Sequence, residues 1–173
     1  MSTAAMSVHA SAVQVGARAV LIRGPSGSGK SRLAFGLIVA GRSGQIPRAE
    51  LIADDRVFVE PHEGRLWVRP VPELAGLIEI RGLGIRRCGF AAEAAVGLVV
   101  DLAAGDAARL PETAALQVEL DGVRLPRLPV GGGYDPLPLV VAALTTDGVA
   151  SATLLDDCWK EFGNHMSHTV VTE

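Results

Sequence analysis

The sequence predicts an α/β fold, and three observations support this prediction. First, an apolar run at 19–22 leads into a glycine-rich loop at 24–31 and then into a segment, 31–40, whose apolar residues recur at helical spacing. Second, the run 96–102 is strongly apolar and is typical of a buried strand. Third, two short β-type runs within 116–128 flank an Asp-Gly turn signal. The chain of 173 residues is long enough for one domain with a real core.

The first elements in chain order are two strands. Residues 1–7 are small and polar and are predicted to be a disordered N-terminus. Residues 8–15 alternate loosely between apolar and polar positions and predict a strand with His9 near its start. A tight connection at 16–17 leads to a second strand at 18–23. Because histidines at strand ends are usually structural or simply exposed, the position of His9 alone assigns it no role.

The loop after the second strand carries the clearest motif in the chain. The motif comprises Gly24, Pro25, Ser26, Gly27, Ser28, Gly29, Lys30 and Ser31, and it fills each fixed position of the P-loop pattern G-x-x-x-x-G-K-[ST]. Its glycines accept backbone angles that turn N–H groups toward a phosphate, and the helix start adds more N–H groups. Lys30 is expected to reach the β- and γ-phosphates, and the Ser31 hydroxyl to ligate Mg²⁺. A plain Gly/Ser turn does not require Lys-Ser here, so we predict a nucleotide-phosphate site.

The next strand ends in two acidic residues. The first helix is expected to stop near Gly41, a polar loop follows at 42–49, and the apolar strand at 50–55 closes on Asp54 and Asp55. P-loop enzymes use an Asp at the end of such a strand to hold Mg²⁺ or its water shell beside the γ-phosphate. Neighbouring side chains on a strand point in different directions, so the two carboxylates cannot share one role. A polar strand end before a turn is the alternative that the residues leave open.

The middle of the chain is predicted to be rich in β-structure. A hairpin is expected at 56–69, one helical turn at 73–77 and a strand at 78–85. The last of these contains Glu79 and Arg81 within an apolar frame, and periodicity alone describes it as a strand with surface charges.

The C-terminal part is predicted to alternate between strands, loops and helices. In order these are a strand at 96–102, a loop at 103–113 that contains Arg109, a hairpin at 116–128, a glycine-rich break at 131–133 and a helix at 137–145. Residues 147–173 are predicted to add a short helix, within 150–162, and a frayed polar tail to the same domain.

Composition and charge exclude several classes of protein. The net charge of −3 argues against a nucleic-acid binder that works through a basic surface, and 49% hydrophobic residues argue against a disordered chain. No apolar run has the length of a membrane span, and the first residues do not form a signal peptide. The two cysteines, Cys88 and Cys158, lack metal-type spacing and are expected to be free thiols. We therefore expect a cytoplasmic enzyme-sized domain with no nucleic-acid or membrane partner.

Four motifs together resemble the catalytic domain of the HPr kinase/phosphorylase family. They are His9, the P-loop at 24–31, Ala53-Asp54-Asp55-Arg56-Val57 and Glu79-Ile80-Arg81-Gly82-Leu83-Gly84-Ile85. The last two are the most specific, and the match runs over about residues 8–130 in the family's order. That family phosphorylates a serine of HPr, the phosphocarrier protein of the bacterial phosphotransferase system, and can reverse the reaction by phosphorolysis. The resemblance implies a P-loop kinase core over 8–146, with a central mixed β-sheet flanked by helices.

The resemblance also implies ATP and Mg²⁺, with residues that handle the phosphates and the metal. Lys30 would neutralise the β- and γ-phosphates. Ser31 and Glu79 would hold Mg²⁺ through oxygen ligands, and Asp54 would support the metal or position its neighbour Asp55.

Three further residues have catalytic roles by the same resemblance. Asp55 would take the proton from the target serine in the kinase direction and return one in phosphorolysis. His9 would tune the charge of the two aspartates. Arg109 would stabilise charge on the phosphoryl group in transfer, as an arginine finger does.

The chain departs from the family pattern in three places. Longer members carry an N-terminal regulatory domain, whereas here the core starts at once, as in the short form found in some alphaproteobacteria. The segment 131–135 has no positive charge where the family is basic, which predicts little or no phosphorylase activity. The loop at 41–50 is longer than the family's connection. Family members form hexamers, so an oligomer is expected.

Two other functions would also use a P-loop core. A small-molecule kinase on a similar core would be expected to carry an arginine-rich lid, and only Arg81, Arg86 and Arg87 cluster here. A non-catalytic nucleotide sensor would not need a carboxylate base.

Overall fold

The computed structural model describes residues 5–149 and 153–163. Within these ranges the strands are β1 (Met6–His9), β2 (Ser11–Val15), β3 (Arg18–Arg23), β4 (Ala49–Ala53), β5 (Arg56–His62), β6 (Arg65–Pro70), β7 (Leu77–Ile80), β8 (Gly84–Arg87), β9 (Ala94–Leu102), β10 (Gln117–Leu120) and β11 (Val123–Val130). The α-helices are α1 (Lys30–Arg42) and α2 (Pro136–Thr145). Single 3₁₀ turns are found at Pro72–Leu74, Thr113–Leu116 and Cys158–Phe162.

Nine of these strands form one mixed sheet, which confirms the predicted fold class. Its main path runs β1-β5-β6-β9-β3-β2-β4, with β11 paired to β9 and β10 paired to β11. The central strands β3, β9 and β11 are parallel, and the remaining pairs in the sheet are antiparallel. The carboxyl ends of the three parallel strands therefore meet at one edge of the sheet.

Side chains of β3 alternate between two apolar clusters. Val20 and Ile22 pack with α1 and α2 in the first cluster, while Ala19 and Leu21 pack in the second with strands that include β5 and β6. The helices thus cover one face of the central strands, and part of the sheet itself covers the other. None of the helices among the described residues is long and apolar enough to cross a membrane.

The single strand predicted at 8–15 is two strands. β1 pairs with β5, whereas β2 lies between β3 and β4, and the chain changes partner at the fully buried Ala10. Apolar and polar residues alternate on both sides of Ala10. The sequence pattern therefore cannot show where one strand ends and the next begins. Met6 and Ser7 belong to β1 and pair with Val59 and Phe58, so the prediction of a disordered 1–7 is wrong for these two residues. Residues 1–4 lie outside the described ranges.

The strand predicted at 78–85 is a hairpin. β7 and β8 pair as a separate two-stranded sheet, and Leu83 N donates to Ile80 O over 2.9 Å. Gly82, in the turn, has φ of 85°, a conformation that favours glycine. Because the two short apolar runs are separated by so short a turn, their sequence pattern is the same as that of one continuous strand.

The C-terminal segment closes the core through a short 3₁₀ helix at Cys158–Phe162, inside the range 150–162 in which a short helix is predicted. Phe162 is fully buried, and a Cβ on Gly97 would lie 2.9 Å from its ring. The Phe162 carbonyl accepts a hydrogen bond from Ala17 N over 3.4 Å. The predicted tail beyond 163, and residues 150–152 of the predicted helix, lie outside the described part of the chain.

Candidate active site

The P-loop connects the carboxyl end of β3 to the start of α1, as its motif predicts. Gly24, Gly27 and Gly29 have φ of 154°, 77° and 100°. A side chain on Gly24 would also be excluded by contact, because its Cβ would lie 2.6 Å from Ser28 Oγ. Gly29 is the N-cap of α1 and supplies no side-chain hydrogen bond, so the first N–H groups of the helix have no side-chain cap.

Lys30, the first residue of α1, is buried beside the loop. Its Nζ donates to the carbonyl oxygens of Gly24 and Pro25 over 3.0 and 3.1 Å. Burial lowers the pKa of Lys30, while the charges of Asp55 and Asp54 oppose that shift. The ammonium group therefore lies inside the phosphate-binding loop with two carboxylates nearby.

Asp54 is a buried carboxylate held by neutral donors. Its Oδ1 accepts from Ser11 Oγ at 2.7 Å and from Ser31 Oγ at 2.8 Å. Its Oδ2 accepts from Ser31 Oγ at 2.9 Å and from the backbone N–H of Glu79 at 3.1 Å. These bonds join β2, the start of α1 and β7 at one carboxylate.

Asp55 has the opposite environment, as expected for neighbouring residues at a strand end. Its side chain is 67% exposed, and its backbone has φ of 68°. Its Oδ1 lies 3.2 Å from His9 Nδ1, because β1 and β5 pair with His9 opposite Arg56. The histidine near the start of the predicted first strand is therefore in contact with the second aspartate.

A cavity of about 680 Å³ brings most of the predicted site residues together. It is lined by P-loop residues 26–31, the helix residues Arg32 and Phe35, the pair His9 and Asp55, and residues 79–81 of the β7–β8 hairpin. Buried Asp54 lies next to this lining, bonded to Ser31 and to Glu79 N. P-loop, acidic and basic groups thus face one space.

Gly24, Pro25 and Asp54 do not line this cavity but bond the lining residues Lys30 and Ser31, whereas Arg109 does not line it and bonds neither of them. Arg109 is exposed in the loop that follows β9. That loop leaves the sheet beside the P-loop, since Leu102 is the last residue of β9 and would meet a Cβ on Gly24 at 3.0 Å. The predicted role of Arg109 therefore stays a prediction, while Arg81 is an arginine that does line the cavity.

Ser11 is a site residue that the sequence motifs did not reveal. It is fully buried in β2 and contacts Asp54 directly. The available signal was a hydroxyl residue between two alanines in an otherwise apolar stretch, because buried polar groups need a partner. That signal shows that a partner exists but not which one.

Comparisons with known proteins show the family by sequence and the fold by structure. The HPr Serine kinase C-terminal domain matches residues 2–120. HPr kinase/phosphorylase from Streptococcus thermophilus is 45% identical over 80 residues, which is 46% of this chain and 24% of that protein. The enzyme of the same name from Streptococcus pyogenes serotype M5 is 41% identical over the same shares. The structure of the Hpr(Ser) kinase/phosphatase from Coxiella burnetii shares the fold, with a TM-score of 0.63, 22% identity and coverage of 79% of this chain and 91% of that chain.

The chain belongs to the HPr serine kinase C-terminal domain family. The matched region includes the P-loop, both aspartates and the β7–β8 hairpin. The match to the curated relatives spans about a quarter of their length.

The donor set of the site fits Mg²⁺ that is shared with nucleotide phosphates. Asp54 is buried and takes part in none of the ion pairs found among the described residues, so a cation beside it would be favourable. Within the described ranges, no three His, Cys, Asp or Glu side chains form a metal-binding group. Mg²⁺ in nucleotide sites commonly uses one or two carboxylates together with phosphates and water. The site supplies two carboxylates, from Asp54 and Glu79, and the hydroxyl of Ser31, which is enough for such a shared metal.

Proposed function

We propose that this chain is an ATP-dependent protein-serine kinase that acts on HPr in the cytoplasm. One observation carries the proposal: the cavity that contains the P-loop and Lys30 also contains the exposed carboxylate of Asp55. A nucleotide held by the loop would present its γ-phosphate to this carboxylate. A solvent-exposed base at the cavity is accessible to a serine on the surface of another protein.

The phosphate end of ATP would bind through backbone and lysine donors. N–H groups of the loop and of the first turn of α1 would contact phosphate oxygens. Lys30 would exchange its bonds to the Gly24 and Pro25 carbonyls for bonds to the phosphates, which would restore a charged partner to the buried ammonium.

Ser31, Asp54 and Glu79 would hold Mg²⁺, which when bound neutralises charge on the β- and γ-phosphates. Asp54 would act mainly through Ser31, because it accepts a hydrogen bond from the Ser31 hydroxyl and so leaves the oxygen lone pairs of that hydroxyl for the metal.

Asp55 would act as the general base toward the acceptor serine. His9 would place its imidazole next to this carboxylate. Arg109 would stabilise charge on the phosphoryl group from the loop after β9, which leaves the sheet beside the P-loop.

The experiment that tests this proposal offers the chain a choice of acceptors. Purified protein is incubated with Mg-ATP and HPr, and HPr is examined for a phosphate-sized mass increase on a serine. We expect the increase with the wild-type chain and none with Lys30→Ala. ATP turnover with small acceptors and none with HPr would contradict the proposal and would favour a small-molecule kinase.

We further propose that phosphorolysis is weak. The segment 131–135 between β11 and α2 contains no Lys or Arg, and Tyr134 is 75% exposed there. A phosphorylated partner or inorganic phosphate would find no positive charge on it. Phosphoserine-HPr incubated with phosphate should therefore lose its phosphoryl group far more slowly than HPr gains it. Equal rates in the two directions would contradict this expectation.

The family resemblance also supports a homo-oligomer, proposed here as a hexamer. Light scattering coupled to size-exclusion chromatography should give a mass several times the 18.0 kDa of the chain. A single species at the monomer mass would contradict it.

A further inference from the structure

Ser11 is a buried hydroxyl residue whose side chain bonds the acidic centre of the site. Its exposure is 0%, and Oγ donates to Asp54 Oδ1 over 2.7 Å. Burying a hydroxyl in an apolar strand costs free energy unless it is paired, and hydrogen bonds to a charged acceptor are the stronger ones. The hydrogen bond from Ser11 therefore restricts the orientation of the Asp54 carboxylate.

The pairing of β2 with β4 explains why Ser11 reaches Asp54. Ala12 pairs with Ala53, but Val13 pairs with Leu51, so β4 carries one extra residue between these pairs. Such bulges bend a strand and re-aim side chains, and they are frequent beside active sites. This bulge lies one residue from Ser11 on β2 and one residue before Asp54 begins the turn after β4.

The three donors to Asp54 lie on different sides of it. Ser31 and Glu79 line the cavity, whereas the fully buried Ser11 does not. Ser11 can therefore keep its hydrogen bond while groups on the cavity side contact a nucleotide and its metal. It is the donor whose bond to Asp54 need not change during the reaction.

We propose that Ser11 is a positioning residue that fixes the Asp54 carboxylate so that Asp54 can orient Ser31 toward Mg²⁺. This inference rests on the proposed nucleotide function, and it gives Ser11 no contact with substrate. Without the hydroxyl, Oδ1 keeps only its bond to Ser31, and the carboxylate can rotate. Removing a residue that orients a metal ligand typically lowers metal affinity about 10- to 100-fold.

The test compares variants that differ only in the hydroxyl. Ser11→Thr and Ser11→Val add nearly the same volume, but only the Thr variant keeps the donor; Ser11→Ala removes the donor without adding volume. Binding of a fluorescent ADP analogue is measured across a Mg²⁺ titration and again with the metal chelated. We expect the half-saturating Mg²⁺ concentration to rise about tenfold in the Ala and Val variants and to stay near wild type in the Thr variant. Affinity without metal should be the same in all four proteins.

Two controls make the outcome specific. Ser43→Ala removes a hydroxyl that bonds only the Val39 and Ala40 carbonyls at the end of α1, and it should leave the titration unchanged. Thermal melting verifies that each variant is folded. Wild-type Mg²⁺ dependence in Ser11→Ala, or equal impairment of the Thr and Val variants, would overturn the role of Ser11. If the wild-type chain binds the analogue equally with and without Mg²⁺, the proposed metal site itself fails, and the role of Ser11 fails with it.

Discussion

Asp54 and Asp55 are adjacent in sequence, yet they have different physical environments. Asp54 is 5% exposed and accepts hydrogen bonds from three residues, whereas the side chain of Asp55 is 67% exposed and contacts His9. The positive φ of Asp55 turns the chain from β4 into β5 and directs its side chain away from that of Asp54. One carboxylate is therefore buried and fixed by hydrogen bonds, and the other is exposed at the cavity.

Replacing His9 tests whether the contact with Asp55 matters for transfer. Because both side chains are exposed and screened by water, the pair is worth about 1 kcal/mol or less, so His9→Gln should lower kcat by about fivefold at most and leave KM for ATP unchanged. His62→Gln is the matched control, since His62 is an exposed histidine 3.7 Å from Glu63. Steady-state kinetics with HPr measure both. A loss equal to that of Lys30→Ala would contradict a tuning role for His9.

The motifs assigned Lys30, Ser31 and the two aspartates to one site, and the resemblance added His9; the structure brings these residues together, and their roles stay predictions. These residues lie at strand ends and at the start of α1, and the short connections between these elements bring them near one another. The contact of Ser11 could not be predicted, because it depends on the register shift between β2 and β4. The distance of Arg109 from the cavity could not be predicted either, since it lies within a long irregular loop.

Three parallel strands are joined at their carboxyl ends by an ion-pair chain. Arg23 at the end of β3 donates two hydrogen bonds to Asp101 on β9, at 2.7 and 2.8 Å. Arg127 on β11 donates to Asp101 at 2.6 Å, to Asp106 at 2.7 and 3.0 Å, and to Ala115 O at 2.8 Å. The chain of contacts thus links the strand that feeds the P-loop to the loop that contains Arg109.

Asp101→Asn should destabilise the protein by about 2 kcal/mol, because two partly buried arginines lose their shared counter-ion. Burial alone would raise the pKa of Asp101, but hydrogen bonds from Arg23 and Arg127 outweigh it and hold the pKa below its usual value. Since the folded-state pKa is the lower one, this stabilisation is present above the unfolded pKa and is lost as the pH falls through the folded pKa.

Urea unfolding of wild type and Asp101→Asn at several pH values measures this contribution. The difference in unfolding free energy should be largest near neutral pH and should shrink in acid. Glu161→Gln is the control, because it breaks the Arg18 ion pair at the other end of β3, where the glutamate is 59% exposed. A difference that does not change with pH would contradict the assignment.

Secondary structure was predictable where a single pattern was bounded by clear turn signals. β3, α1, β9, the β10–β11 hairpin and α2 all follow such patterns. The segments 8–15 and 78–85 were each predicted as one strand because hydrophobic alternation persists across a bend and across a glycine turn. Periodicity reports which side of the chain is buried, and it does not report a change of partner strand.

The C-terminal 3₁₀ turn completes the core of the whole molecule. Phe162 fills the space beside Gly97 at the amino end of the parallel strands, opposite the P-loop edge. Phe162→Ala should therefore lower the unfolding free energy by about 3 to 5 kcal/mol, as for other large-to-small core changes. Leu154→Ala, at a residue that is 44% exposed, should change it much less. Chemical denaturation measures both, and equal small effects would show that the turn does not belong to the cooperative core.

The α/β class was predictable for the whole protein, but the strand order was not. The order β1-β5-β6-β9-β3-β2-β4 places strands that are distant in sequence side by side, and local patterns contain no information about such pairings. The resemblance to the family supplied the mixed sheet, and the packing of 153–163 against its far end was not expected.

In the proposed mechanism one cavity both binds the nucleotide and activates a protein serine through Asp55. The most direct measurement is the rate of phosphoserine formation on HPr by wild type and by Asp55→Asn at saturating Mg-ATP, with nucleotide affinity measured in parallel. We predict unchanged affinity and a rate lower by a factor of about 10² or more. An unchanged rate in the Asn variant would contradict the claim, because transfer would then proceed without the carboxylate.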